Sequence, residues 1–149
     1  MEGFLETTYD KFIFRVKEDY LYLKEDFWAK IDGNSASVGI SDFLQKSRGD
    51  VAFLETIEAG SEVRQGEGIG TIETIKATFA IISPVTGRVI EINPKLEGSP
   101  YLLNEDPYGE GWIYKIELSR LEEDRKGLLS AIDYLELMKE KIVEEMKKK

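Results

Sequence analysis

Short runs of β-branched and aromatic residues, each closed by turn formers, recur along the first four-fifths of this chain and confine it to a mainly β architecture. The runs are Phe12-Ile13-Phe14-Arg15-Val16, Tyr20-Leu21-Tyr22-Leu23, Phe27-Trp28-Ala29-Lys30-Ile31, Val51-Ala52-Phe53-Leu54, Gly87-Arg88-Val89-Ile90-Glu91-Ile92 and Trp112-Ile113-Tyr114-Lys115-Ile116-Glu117-Leu118. Between them stand Asp32-Gly33-Asn34, Glu58-Ala59-Gly60-Ser61, Gln65-Gly66-Glu67-Gly68 and Ser83-Pro84-Val85-Thr86-Gly87. Asp-Gly favours a two-residue hairpin turn in which both central positions take positive φ. Strands this short and this regularly spaced predict a sandwich or barrel. Two brief helices interrupt them. Ser41 is placed to cap 42–47, with Gly49 just past the end. Ser99 followed by Pro100 opens about one helical turn over 99–104.

The composition changes at Ser119. From there to Lys149 there is no proline, and Leu, Glu and Lys dominate. The chain therefore divides into a β domain over 1–118, with its N-terminal extension, and an amphipathic helical segment over 119–149. Ser119-Arg120-Leu121-Glu122 fits a capping box, and Leu128, Ile132, Leu135, Ile142 and Met146 form one apolar stripe. The terminal lysines, Lys147 to Lys149, complement the helix dipole. Gly127 is a natural place for a kink. The stripe packs on the β domain or, alternatively, on a second copy as a short coiled-coil seam.

Two absences bound the chemistry. With no cysteine there is no thiol nucleophile, disulfide or thiolate metal site, and with no histidine there is no Ser–His or Cys–His scheme. No acid/base pair of carboxylates is recognisable either, so the reading is a non-catalytic protein whose redox or acyl chemistry comes from a cofactor or a partner. A net charge of -9 disfavours nucleic acid and anionic membranes, which need a positive footprint. The N-terminal Met1-Glu2-Gly3-Phe4-Leu5-Glu6 lacks a basic n-region and an apolar h-region, and no stretch approaches a membrane span, so the expected location is cytoplasmic.

The informative stretch runs from Gly60 to Ile92. Lys76 is the only cation between Arg64 and Arg88, and its neighbours Ile75, Ala77 and Phe79 are small or apolar. From the residues alone it is either a surface lysine snorkelling off an apolar strand or an acceptor for covalent modification on an exposed tip. The segments Gly60-Ser61-Glu62-Val63-Arg64-Gln65-Gly66-Glu67, Ile72-Glu73-Thr74-Ile75-Lys76-Ala77 and Ser83-Pro84-Val85-Thr86-Gly87-Arg88-Val89 resemble the biotinyl/lipoyl-domain signature. The stretch Glu73-Thr74-Ile75-Lys76-Ala77 is similar to the Glu-Ser-Val-Lys-Ala of glycine cleavage H-proteins, whereas biotin carriers place methionine on both sides of the lysine. Val38-Gly39-Ile40-Ser41-Asp42-Phe43-Leu44-Gln45, Gly49-Asp50-Val51 and Asn104-Glu105-Asp106-Pro107-Tyr108-Gly109-Glu110-Gly111-Trp112 resemble further H-protein segments. Taken alone, Asp106-Pro107-Tyr108-Gly109 reads as a turn and Trp112 as a core anchor.

That resemblance, covering roughly Tyr22 to Leu118, implies a flattened β-barrel or sandwich of the biotinyl/lipoyl type. Its two similar halves lie around 51–73 and 77–92, and the modified lysine stands on an exposed hairpin between them. It implies lipoate bound covalently to Lys76, with Glu73, Thr74, Ile75 and Ala77 as the flank recognised by a lipoate ligase or an octanoyl/lipoyl transferase. It further implies a carrier serving the P-, T- and L-proteins of glycine cleavage. Thr74-Ile75-Lys76-Ala77 lacks the Gly or Asn that a tight hairpin favours, so turn chemistry by itself does not place the lysine. Where H-proteins usually have His-Glu-Trp, this chain has Asp26-Phe27-Trp28, which puts a negative charge on the face expected to meet partners. The residues before Tyr22 and the segment after Ser119 exceed the common short form. These departures leave two alternatives: a lipoyl carrier of a heterodisulfide-reductase-like sulfur-oxidation complex, and an unmodified interaction module.

Overall fold

The computed structural model describes residues 2–147. An N-terminal hairpin of β1 (Phe4–Tyr9) and β2 (Phe12–Lys17) stands as a two-stranded sheet. There follow β3 (Leu21–Tyr22), β4 (Phe27–Asp32), β5 (Ser35–Ile40), α1 (Asp42–Arg48), β6 (Val51–Thr56), β7 (Glu62–Val63), β8 (Gly68–Thr74), β9 (Thr78–Ile82) and β10 (Gly87–Ile92). The chain continues through α2 (Lys95–Gly98), α3 (Leu102–Glu105), β11 (Tyr114–Leu118), α4 (Leu121–Asp124), a 3₁₀ turn (Arg125–Gly127) and α5 (Ala131–Lys147).

Two sheets face one another, one of six strands in the order β3-β4-β5-β11-β10-β7 and one of three in the order β6-β8-β9. The architecture is therefore sandwich-like, with the two sheets hydrogen-bonded separately. The similar halves interleave: β7 of the first pairs with β10 of the second, and β8 of the first with β9 of the second. Period-two burial explains the large sheet's inner face, where Ala36, Val38 and Ile40 of β5 and Tyr114 and Ile116 of β11 are buried. They meet Val51, Ile69, Ile72 and Ile81 from the smaller sheet.

The smaller sheet breaks strict alternation. Ile69 and Ile72 both face inward although three positions apart, because β8 shifts register against β9 between Gly68 and Thr71. Gly70 holds φ at +133, and a Cβ there would lie 2.6 Å from the Glu55 carbonyl oxygen. A matching shift between Val51 and Phe53 keeps β6 in step. These bulges turn Ile72 and Thr74 inward and leave Glu73 on the outer face.

A second core lies on the other side of β3 and β4, where Tyr22, Trp28, Phe14, Val16 and Tyr108 receive Ala131, Tyr134, Met138 and Ile142 of α5. Tyr22 and Tyr134 stack with ring centres 4.4 Å apart, and the Trp28 indole N–H reaches the carbonyls of Ile40 and Pro107, each at 2.9 Å. Helix α5 thus packs on the β body. Its buried stripe differs from the sequence reading, since Leu135 and Met146 are half-buried and Ile132 is 65% exposed. The phase is set by where the helix starts. Ser119–Glu122 forms no capping box: α4 begins at Leu121 without a side-chain cap and lasts one turn. The chain runs extended through Leu128 and pairs Leu129 with Tyr22 before Ser130 caps α5 by accepting the Asp133 N–H. Lys147 closes α5; Lys148 and Lys149 lie outside the described residues.

Three smaller readings resolve similarly. Between β4 and β5 only Gly33, not Asn34, takes positive φ. The helical turn after Pro100 starts at Leu102 with no side-chain cap. Trp112 is half-buried, packed against the edge of the second core with the Lys115 ammonium over its ring, while Trp28 is the fully buried tryptophan.

Candidate functional site

The β8–β9 hairpin carries Lys76 at its tip. Glu73 pairs with Thr78, and the Thr74 N–H bonds the Ala77 carbonyl at 2.8 Å, leaving Ile75, Lys76 and Ala77 to make the turn. None of these three residues has positive φ. What replaces glycine is the Thr74 hydroxyl, which accepts the N–H groups of Lys76 (3.2 Å) and Ala77 (3.0 Å). It donates in turn to the Arg48 carbonyl at 2.7 Å. The Ile75 N–H bonds the Asp50 carbonyl at 3.1 Å. The hairpin is thereby fastened at two points to the chain leaving α1.

That chain is itself well held. Ser41 caps α1 by accepting the Leu44 N–H, and Gly49 ends it at φ 90. Asn104 then buckles the exit: its amide oxygen accepts the Val51 N–H at 2.9 Å, and its NH₂ donates to the Gln45 side chain and the Gly49 carbonyl, each at 3.1 Å. The Arg48 guanidinium lies over the Phe79 ring of β9 at 5.8 Å. Arg48 also meets Glu145 of α5 at 3.5 Å, and the Ser47 hydroxyl donates to the same carboxylate.

Lys76 is exposed. Its Nζ donates to the Ser47 carbonyl at 3.2 Å, and its methylenes cross Gly49, where any Cβ would lie 3.1 Å from the lysine Cδ. Ile75 is 75% exposed, and Glu73 shares the outer face with the exposed Phe53, its cross-strand partner. Among the sequence-selected residues, Lys76 and Ile75 are therefore presented outward, Glu73 lies on the outer face, and Thr74 is buried beneath them. Arg48, Gly49 and Asn104 complete the support. Gly49 and Asn104 stand within the H-protein-like segments, but nothing local in the sequence marks them or Arg48 as support for the lysine, because their contacts with its turn and with one another are made across the fold.

A cleft of about 410 Å³ lies between the chain after β7 and α4 rather than at the lysine, lined by Arg64, Gln65, Thr86, Arg120, Glu123 and Asp124. Among the described residues, no group of three acidic side chains is placed to hold a metal ion, and no helix is long and apolar enough to cross a membrane.

Asp26 overturns its sequence reading. It is 6% exposed and lies under α5, not on a docking rim. The turn from Leu23 to Phe27 holds it at φ 78 and directs its carboxylate to the Tyr134 hydroxyl (2.7 Å) and the Lys141 ammonium (3.0 Å). The Ser41 hydroxyl bonds Tyr134 from the other side at 2.8 Å. Burial pushes the Asp26 carboxyl above the ordinary aspartate range, although Lys141 and Tyr134 pull the other way. Asp26 thus belongs to the seat of α5 rather than to an exposed face.

Comparison with known proteins gives the family. The family model of the glycine cleavage H-protein matches residues 20–141. The chain belongs to the glycine cleavage H-protein family. A glycine cleavage system H protein of Carboxydothermus hydrogenoformans is 44% identical over 84% of this chain and 95% of its own length. A probable glycine cleavage system H protein of Thermococcus kodakarensis is 46% identical over 85% of this chain and 94% of its own. The crystal structure of a glycine cleavage system H protein from Mycobacterium marinum superposes with a TM-score of 0.69 at 28% identity, covering 78% of this chain and 94% of that one. The H-protein match includes α4 and α5 as far as Lys141, so most of the segment after Ser119 is not an addition to the family pattern. The β1–β2 hairpin lies before the matched residues.

Proposed function

We propose that Lys76 carries lipoate in amide linkage and that the chain is a non-catalytic lipoyl carrier of glycine cleavage, acting in the cytoplasm. In this reading it takes an aminomethyl group from the glycine-decarboxylating P-protein to the T-protein and passes electrons to the L-protein. The observation that carries the reading is the exposure of Lys76 at the tip of a braced hairpin in a chain of the H-protein family. The residues present fit the group: an accessible primary amine, no competing side chain crowding it from Gly49, and a turn tied down beneath it. When bound, lipoate supplies a disulfide–dithiol couple, chemistry that a chain without cysteine does not itself possess.

The chain's own residues bind and orient. Thr74 and the Asp50 carbonyl hold the turn, and Glu73, Ile75 and Ala77 form the flank that a lipoate ligase or octanoyl/lipoyl transferase reads. Amide formation removes the lysine ammonium and with it the charge-assisted bond to Ser47. A pendant fixed to a rigid hairpin becomes a tethered substrate, raising its local concentration at each docked enzyme.

Two measurements test this. Peptide mass spectrometry of protein made in a cell with a working lipoylation pathway finds one lipoyl increment on the Lys76 peptide and none in Lys76→Arg. Glycine–bicarbonate carbon exchange with the P-protein then depends on that lysine. Absence of the increment removes the reading. A modified protein that dihydrolipoamide dehydrogenase reduces, but that supports no exchange, moves the assignment to the sulfur-oxidation complex.

A further inference from the structure

The hairpin that presents Lys76 has an unusual construction. A three-residue turn normally relieves its crowded backbone with a glycine or asparagine at positive φ, yet Ile75, Lys76 and Ala77 all keep negative φ. Their inward N–H groups need an acceptor, and the flanking strands do not supply one. The Thr74 hydroxyl does, for both Lys76 and Ala77. Its single proton has two acceptors in reach, and the nearer, at 2.7 Å against 3.2 Å for the Ala77 carbonyl, is the carbonyl of Arg48, the last residue of α1, where helix geometry leaves carbonyls without an internal partner. Thr74 is 7% exposed, so water does not readily replace any of these bonds.

Resting on the reading of Lys76 as the lipoate acceptor, we propose that Thr74 is a positioning residue: its hydroxyl clips the lysine turn to the end of α1 and presents the amine in one orientation to the attaching enzyme. The methyl group of Thr74 is secondary. A hydroxyl at this position is what the turn requires, and it acts through the main chain of Lys76 without touching the amine. Loss of the clip leaves the strands paired and the turn loose. Only the fraction of molecules with the turn in place is then competent to dock, which raises the apparent KM in inverse proportion to that fraction.

The test compares the full chain with Thr74→Val, which keeps the shape and removes the hydroxyl, and Thr74→Ser, which keeps the hydroxyl. One readout is amide hydrogen exchange at fixed pH. The other is attachment by a lipoate ligase from adenylate-activated lipoate. There the lysine amine forms the amide C–N bond as the acyl–phosphate bond breaks, AMP leaves and the amine proton passes to solvent. Thr74→Val speeds exchange at Lys76 and Ala77 and raises KM, each by about tenfold, the scale expected for one lost buried hydrogen bond. Its kcat stays within about twofold and the core amides of Ile72 and Ile81 keep their parent rates. Thr74→Ser matches the parent throughout.

Parent-like exchange and KM in Thr74→Val overturn the proposal, as does parallel loosening of Ile72 and Ile81. Should Thr74→Val fail to fold, Thr74→Ser decides alone: parent rates at Lys76 and Ala77 uphold the clip, and tenfold faster exchange rejects it. A parent chain that accepts no lipoate defeats the reading of Lys76, whereas the exchange data still judge the clip.

Discussion

Asp26 is a buried carboxylate whose three partners all arrive from distant sequence: Tyr134 and Lys141 on α5 directly, and Ser41 through Tyr134. Its elevated pKa has a definite consequence for stability. An aspartate in the unfolded chain titrates near 3.8, so in the range above that value the folded chain holds the Asp26 proton more tightly. Stability contributed by Asp26 is therefore greatest in acid and declines as pH rises through the folded pKa, after which it is level. Thermal melts of the parent and Asp26→Asn across pH should show the parent's advantage shrinking over that window. An advantage that grows with pH would mean that the Lys141 ion pair outweighs desolvation. Gly70 is the other residue on which local geometry turns. Its positive φ and the nearby Glu55 carbonyl leave no room for a side chain, and the bulge it permits decides which way Thr74 faces.

At the scale of elements, α5 is an integral wall of the second core. Met138 is fully buried against the β body, whereas Ile132 on the same helix is 65% exposed. Met138→Ala is expected to cost about 2–5 kcal/mol. Ile132→Ala should stay within about 0.5 kcal/mol, since it removes no buried contact. Urea denaturation measures both. A larger loss at Ile132 than at Met138, with a midpoint that depends on protein concentration, would show that the helix stabilises a self-associated form instead. The β1–β2 hairpin, outside the H-protein match, is joined to the same core: Phe14 and Val16 are buried in it, and the Tyr108 hydroxyl donates to the Arg15 carbonyl at 2.7 Å.

Across the whole molecule, the formal charge is -9 and Lys76 is one of 20 basic residues. Lipoylation converts its ammonium to a neutral amide, so the modified chain is more negative by one unit. Isoelectric focusing should resolve it on the acidic side of the unmodified form, with no second band in Lys76→Arg. The melting temperature should be unchanged between the two forms, because among the described residues the exposed amine bonds the Ser47 carbonyl alone. A marked rise in melting temperature on modification would indicate that the lipoyl group packs on the body of the protein.

Much of this molecule is legible along the chain because its signals are local. Alternation in β5 and β11, the Ser41 and Gly49 caps of α1 and the break after Gly127 all depend on residues within a few positions of one another. The family segments single out Lys76, which the structure places exposed at the tip of the β8–β9 hairpin, and the composition change at Ser119 precedes the helical elements α4 and α5. Tertiary structure decided what depends on contacts across long separations. Thr74 meets Arg48 from 26 positions away, Val51 meets Asn104 from 53, and Asp26 meets Tyr134 from 108. The bulges in β6 and β8 reverse the faces that simple alternation would assign, and the start of α5 at Ser130 rotates its stripe away from Ile132. Propensity and periodicity describe a residue's neighbours in the chain, whereas the inward turn of Thr74 and the burial of Asp26 are set by hydrogen-bond partners that only folding brings within reach.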